Sequence, residues 1–161
     1  MSDLKARLES KARRTCTVPV QVDDPGPARV RVEAANRAYL LAELAAADAD
    51  EVKTAARDAA AAELAAAQQA EAACYELIVF VALADDDMER VVAAHQRPDG
   101  ELDRHRATPV LAAACALDEG LRDEAWWAAQ LTRWSQGEAL DLYRRLLDLN
   151  WRTPPESLPK G

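Results

Sequence analysis

The residues able to do chemistry in this chain are few and scattered. His95 and His105 are the only histidines, and their separation fits no zinc-ligand pattern. His95 follows Met88, Val91 and Val92 at helical spacing, which marks a packing position rather than a ligand. Asp85, Asp86 and Asp87 form the densest carboxylate cluster. A calcium site needs more oxygen ligands than one short turn supplies, so the triplet reads as the cap of a helix start. Cys16, Cys74 and Cys115 are far apart, odd in number and set among apolar residues, as reduced, buried thiols are. There is no GxSxG, no CxxC and no phosphate-binding glycine loop, and five glycines is the whole complement. No pair of carboxylates sits in an apolar setting that would raise a pKa. These residues point away from an enzyme and call for no metal and no cofactor.

The tryptophans carry more information. Trp127, Leu131 and Trp134 share one helical stripe and read as core. Adjacent Trp126 points about 100° away and cannot join that stripe, and an exposed tryptophan is a favoured binding anchor. The helix that follows carries Leu142, Leu146 and Leu149 on one side, and Leu140, Tyr143 and Leu147 on the adjoining side. Trp151 follows Asn150, a tolerated helix stop. Trp126, Trp134, Leu140, Tyr143, Leu147 and Trp151 are therefore the candidate partner-binding residues, lining a groove for an amphipathic partner helix. The competing reading is that three short helices simply bury each other's apolar faces.

The elements positioning these residues are organised around Cys74–His95. Tyr75, Leu77, Ile78, Val79, Phe80 and Val81 form a run of strand-formers after an Ala-rich tract. Beyond the three aspartates, Met88, Val91, Val92 and His95 open a helix. Upstream, residues 2–13 read as a short helix, and Cys16–Val22 alternates with the period of a half-buried strand. Pro19 puts that strand at an edge. Asp23-Asp-Pro-Gly-Pro27 is a turn, and a second short strand over 28–32 would complete a hairpin. From Ala34 the period becomes helical, with a break and new cap at Asp48–Asp50. Of the 32 residues from Ala42 to Ala73, 17 are alanine. They favour helix strongly but bury little area each, which is compatible with an antiparallel hairpin, a long protruding arm or a plain spacer. Gln96–Glu101 is a loop running on to a mobile Arg106. Thr108-Pro109 reads as a helix start, Asp123 as the cap of the next helix, and Ser135-x-x-Glu138 as a capping box. Thr153–Gly161 is a Pro-rich extended tail.

The fold class expected is thus α+β and mostly helical. A small antiparallel sheet (about 16–22, 28–32 and 74–82, the last central) joins an Ala-rich arm and a C-terminal helical bundle. Residues 1–33 carry the N-terminal helix and hairpin, 34–73 the arm, 74–151 the strand and bundle in one domain with 1–33, and 152–161 the tail. The net charge of −8 argues against nucleic acid as partner. No apolar run approaches the roughly 20 residues of a membrane helix, and MSDLKARLES lacks a signal-peptide core.

Several segments, in order, resemble the tail assembly chaperones of long-tailed (siphovirus-type) actinobacterial phages. They are the N-terminal helix with T-V-P-V at Thr17–Val20, the Ala/Glu-rich arm, and the strand–helix unit ending A-A-H at His95. T-P-V-L-A-A-A-C at Thr108–Cys115 follows, then the Trp126-Trp127 helix, W-S-x-x-E at Trp134–Glu138 leading to Leu149-Asn150, and the terminal P-K-G. The resemblance implies a non-enzymatic protein of the bacterial host cytoplasm that binds the helical, aggregation-prone tape-measure protein during tail assembly. The tail tube protein and self-association are further partners to expect. Two other functions fit the same residues: a structural component retained in the particle, and a small acidic inhibitor or antitoxin.

Overall fold

A computed structural model describes residues 2–9, 11–46 and 51–151. The element order is α1 (Ser2–Glu9), β1 (Thr15–Gln21), α2 (Gly26–Ala45), α3 (Glu51–Ala72), β2 (Tyr75–Val81), α4 (Asp85–His95), α5 (Arg104–Cys115), a 3-10 turn (Glu119–Leu121), α6 (Glu124–Leu131) and α7 (Gln136–Trp151). The fold is α+β and mostly helical, as composition and periodicity require. The tail after Trp151 and the expected break at Asp48–Asp50 lie outside the described residues.

The sheet has two strands. β1 and β2 run antiparallel, with Ala82 N–H donating to Arg14 C=O (2.8 Å) at one end and Val22 N–H to Cys74 C=O (2.9 Å) at the other. Cys16, Val18 and Val20 point inward and Pro19 points out, the period of two expected of a half-buried edge strand. On its other edge β2 meets the chain just after α5, through a Phe80–Ala116 bridge and Leu117 N–H to Val79 C=O (3.0 Å).

The third strand expected over 28–32 is helix instead: those residues lie in α2. Asp24 Oδ1 accepts from Gly26 N–H (2.9 Å), and Arg29 N–H reaches Pro25 C=O (2.9 Å), so the turn feeds directly into a helix. Pro27 sits in the first helical turn, where no N–H is needed. Val30 and Val32 alternate like strand residues, but each costs a helix well under about 1 kcal/mol. Alanines, arginines and leucines over the other turns of α2 outweigh them.

Two helix starts also differ. No side chain caps α4: Ala84 takes the cap position, and Asp85, Asp86 and Asp87 fill the first turn, where carboxylates favour the positive end of the helix dipole. α5 begins at Arg104, not Thr108, because Asp103 Oδ1 accepts from His105 N–H (3.0 Å) and Arg106 N–H (3.2 Å). Pro109 therefore lies inside the helix. The residues expected to run as a mobile loop to Arg106 instead close on themselves. Asp103 N–H bonds His95 C=O (2.9 Å) and Arg97 N–H bonds Glu101 C=O (2.7 Å). Gly100 turns with φ of 88°, a conformation that favours glycine.

The chain divides into two compact units, Met1–Val18 with Ile78–Gly161, and Pro19–Leu77. In the second, α2 and α3 pack along each other as an antiparallel hairpin, held at one end by Arg29–Glu71 (3.1 Å) and farther along by Arg31–Glu63 (2.8 Å). Its buried side chains are small, Ala35 and Ala67. In the first unit the core is built from Phe80, Leu111, Trp127, Leu142 and Leu146, all essentially inaccessible.

Candidate interaction surface

α7 opens with the capping box that its sequence encodes. Ser135 N–H donates to Glu138 Oε2 (2.8 Å) and Glu138 N–H to Ser135 Oγ (3.3 Å). The Ser135 donors hold the Glu138 carboxyl below the usual glutamate range. From that fixed start, Leu142, Leu146 and Leu149 point into the core. Leu140, Tyr143, Leu147 and Trp151 lie roughly 140° round the helix. The first three are half-buried, and Trp151 is 52% exposed. Burial pushes the Tyr143 phenol above its ordinary pKa, and it feels the charges of Arg104, Glu101, Arg97 and Asp103. Four of the six candidate residues thus share one stripe of α7.

The other two lie elsewhere, around Trp127. Asp123 caps α6 by accepting Trp126 N–H (3.0 Å). This sets Trp127 into the core, its indole N–H on Leu121 C=O (2.7 Å) and its ring near Phe80 (6.0 Å between centroids). Of the adjacent pair Trp126 is the outward one, 41% exposed, standing edge-on to Trp127 at 5.1 Å. Trp134 was expected on the same helical stripe as Trp127 and Leu131. α6 ends at Leu131, however, and Trp134 sits in the following turn, still edge-on to Trp127 at 6.1 Å. It borders a shallow cleft of about 310 Å3 with Arg104, His105, Thr108, Leu131 and Ala139.

Two residues that fix this surface carried no recognisable signal. Asn150, read as a helix stop, lies inside α7 and ties it to the end of β2. Its Oδ1 accepts Leu83 N–H (2.8 Å), and its amide donates to Leu146 C=O (2.8 Å) and Cys115 Sγ (3.5 Å). Arg14 donates to the C=O groups of Asp148 (3.0 Å) and Leu149. These belong to the last turn of α7, where carbonyls have no helical partner and a cation is favoured. The Asn was readable only as one polar residue beside a leucine stripe, and its partner Leu83 is 67 positions away.

Two of the thiols, Cys115 and Cys16, sit where burial disfavours the reactive thiolate. Burial pushes Cys115 up to about 11, against the opposing hydrogen bond from Asn150. Burial likewise raises Cys16, which Arg145 pulls down only in part. Among the described residues no helix is long and apolar enough to cross a membrane. Nor, among the described residues, do three His, Cys, Asp or Glu side chains converge as metal ligands would. Comparison with known proteins returned no match to a family model, a curated protein or a solved structure.

Proposed function

We propose that this protein is a non-enzymatic tail assembly chaperone of long-tailed phages, acting in the host cytoplasm by binding helical segments of the tape-measure protein. The observation that carries the reading is the second apolar stripe of α7. Leu142, Leu146 and Leu149 already supply the helix with a core face. Leu140, Tyr143, Leu147 and the exposed Trp151 are apolar surface beyond what the core consumes. A row of large side chains at i, i+3, i+7 and i+11 matches the anchor spacing of one helix lying along another. The tryptophan at its end supplies the kind of side chain that dominates binding energy. The resemblance of the T-V-P-V strand, the T-P-V-L-A-A-A-C helix and the W-S-x-x-E helix names the partner. Net negative charge keeps such a surface soluble until it is covered.

The test is affinity capture with the full chain as bait from lysate of phage-producing cells, with mass spectrometry of both the eluate and purified particles. The expected result is tape-measure protein in the eluate and no copy of this chain in particles. Recovery of the chain from particles would replace this reading with that of a structural component. A basic, unrelated protein as the sole specific partner would replace it with that of an inhibitor.

A further inference from the structure

The hairpin unit has a surface that α7 does not explain. α2 faces α3 with Ala35 and the half-buried Val32, Tyr39 and Ala42. Roughly 170° round the same helix, Val30, Leu40, Leu41 and Leu44 form a stripe in which every member is between 50% and 75% exposed. Single exposed apolar side chains are ordinary, but a valine and three leucines on one face of one helix are not. The stripe is interrupted by two charges, Glu33 and Arg37, and among the described residues neither is held in an ion pair within the chain.

We propose that this stripe is a self-association surface, on which α2 of a second copy of the chain lies antiparallel about a two-fold axis level with residue 35. The order of residues carries the argument. Read along α2, the face runs apolar, acidic, basic, apolar: Val30, Glu33, Arg37, Leu40. An antiparallel two-fold at residue 35 sets Glu33 opposite Arg37 of the second copy, twice by symmetry. It also sets Val30 opposite Leu40, with Leu41 alongside. A patch that is complementary to itself under a two-fold is what an isologous dimer requires. A parallel pairing stacks Glu33 on Glu33 and Arg37 on Arg37. An antiparallel axis shifted one layer toward the C-terminus sets Glu33 against Leu44 and leaves both charges without a partner. The charges thus select one orientation and one register, as polar residues do in paired helices. The contact spans only about three turns, roughly 16 Å, so the dimer is weak and its population depends on chain concentration.

Sedimentation velocity of the full chain over a concentration series tests this, with circular dichroism confirming that every variant stays folded. The wild type is expected to shift from monomer toward dimer as concentration rises, and Leu41→Glu to remain monomeric. Glu33→Arg and Arg37→Glu each place like charges opposite one another, and each is expected to weaken the dimer by about tenfold. Mixing those two variants regenerates two Glu–Arg pairs between unlike chains and is expected to restore wild-type association. A wild type that is monomeric throughout, a dimer indifferent to Leu41→Glu, or a mixture no stronger than its separate components would each overturn the proposal. So would a folded wild-type chain whose α2 stripe is protected from solvent exchange only by a tape-measure fragment.

Discussion

The helical hairpin and the C-terminal bundle are both mostly helix, yet they reach order by opposite routes. In the bundle most of the large side chains go inward. Trp127, Phe80, Leu111, Leu142 and Leu146 are inaccessible, and each such residue contributes about 1.5–3 kcal/mol by burial. In the hairpin the fully buried side chains are alanines, Val32 and Tyr39 are only half-buried, and Val30 and the leucines of α2 point out. Alanine gives the helices high intrinsic propensity and lets them approach closely, but it leaves little burial to lock one helix on the other. One region is therefore held by its own core. The other keeps its apolar area available to something else. The difference teaches that helix content alone says nothing about where a chain spends its hydrophobic surface.

The largest expected break in this comparison is Trp127→Ala. It empties the centre of the aromatic cluster and leaves Leu121 C=O without its donor. A loss of about 3–5 kcal/mol is expected, read by urea unfolding monitored through the bundle's remaining tryptophans. Ala67→Leu attacks the hairpin instead. Ala67 is fully buried, so the added atoms must push α2 and α3 apart at a cost of about 1–3 kcal/mol. Hydrogen exchange should rise in 26–45 and 51–72. If exchange there stays at the wild-type rate, the alanine interface is not what holds the hairpin. Asn150→Ala leaves Leu83 N–H in a partly buried site with no acceptor, and about 1–3 kcal/mol of thermal stability should go with it. Exchange of the Leu83 amide should quicken specifically.

Smaller still is the capping box. Ser135→Ala should cost about 0.5–2 kcal/mol. The pH dependence has a definite sign. The folded Glu138 carboxyl titrates below its ordinary value of 4.5 because Ser135 donates to it. Its stabilisation is complete above that value and is lost as pH falls through the lowered one. The stability gap between wild type and Glu138→Gln should close on acidification and stay constant above about pH 6. The smallest effect is Glu63→Gln. It removes an exposed pair with Arg31 whose value is below about 1 kcal/mol and should fade with added salt.

Local signals in the sequence carry through to the fold. The alternation of Cys16, Val18 and Val20, the Asp123 cap and the Ser135–Glu138 box each depend on residues within a few positions. So did the exposure of one tryptophan in the adjacent pair, which follows from the 100° between neighbours on a helix. The fold departs from the sequence pattern where two local signals compete. Val30 and Val32 alternate like a strand, but they sit among strong helix-formers after a proline turn that starts a helix equally well. Thr108-Pro109 has the form of a helix start, but Asp103 caps the same helix five residues earlier. What stayed hidden was long-range. Arg14 on the end of α7 and Asn150 on Leu83 depend on groups brought together only by the complete fold. The stripe on α2 was legible as a row of leucines, but not as an outward one, because only the packing of α3 decides which face is spare.

The central claim is that apolar surface left over on α7 is there to hold a partner helix. Its most direct test is co-expression of a helical tape-measure fragment with wild type and with Leu140→Glu/Leu147→Glu. Both substituted positions are half-buried at the surface and outside the inaccessible core, so circular dichroism should show both proteins folded. The account predicts that wild type keeps the fragment soluble and co-purifies with it, whereas the double variant, though folded, loses it to the pellet. A folded double variant that retains the fragment as well as wild type would contradict the claim and move the binding site off α7.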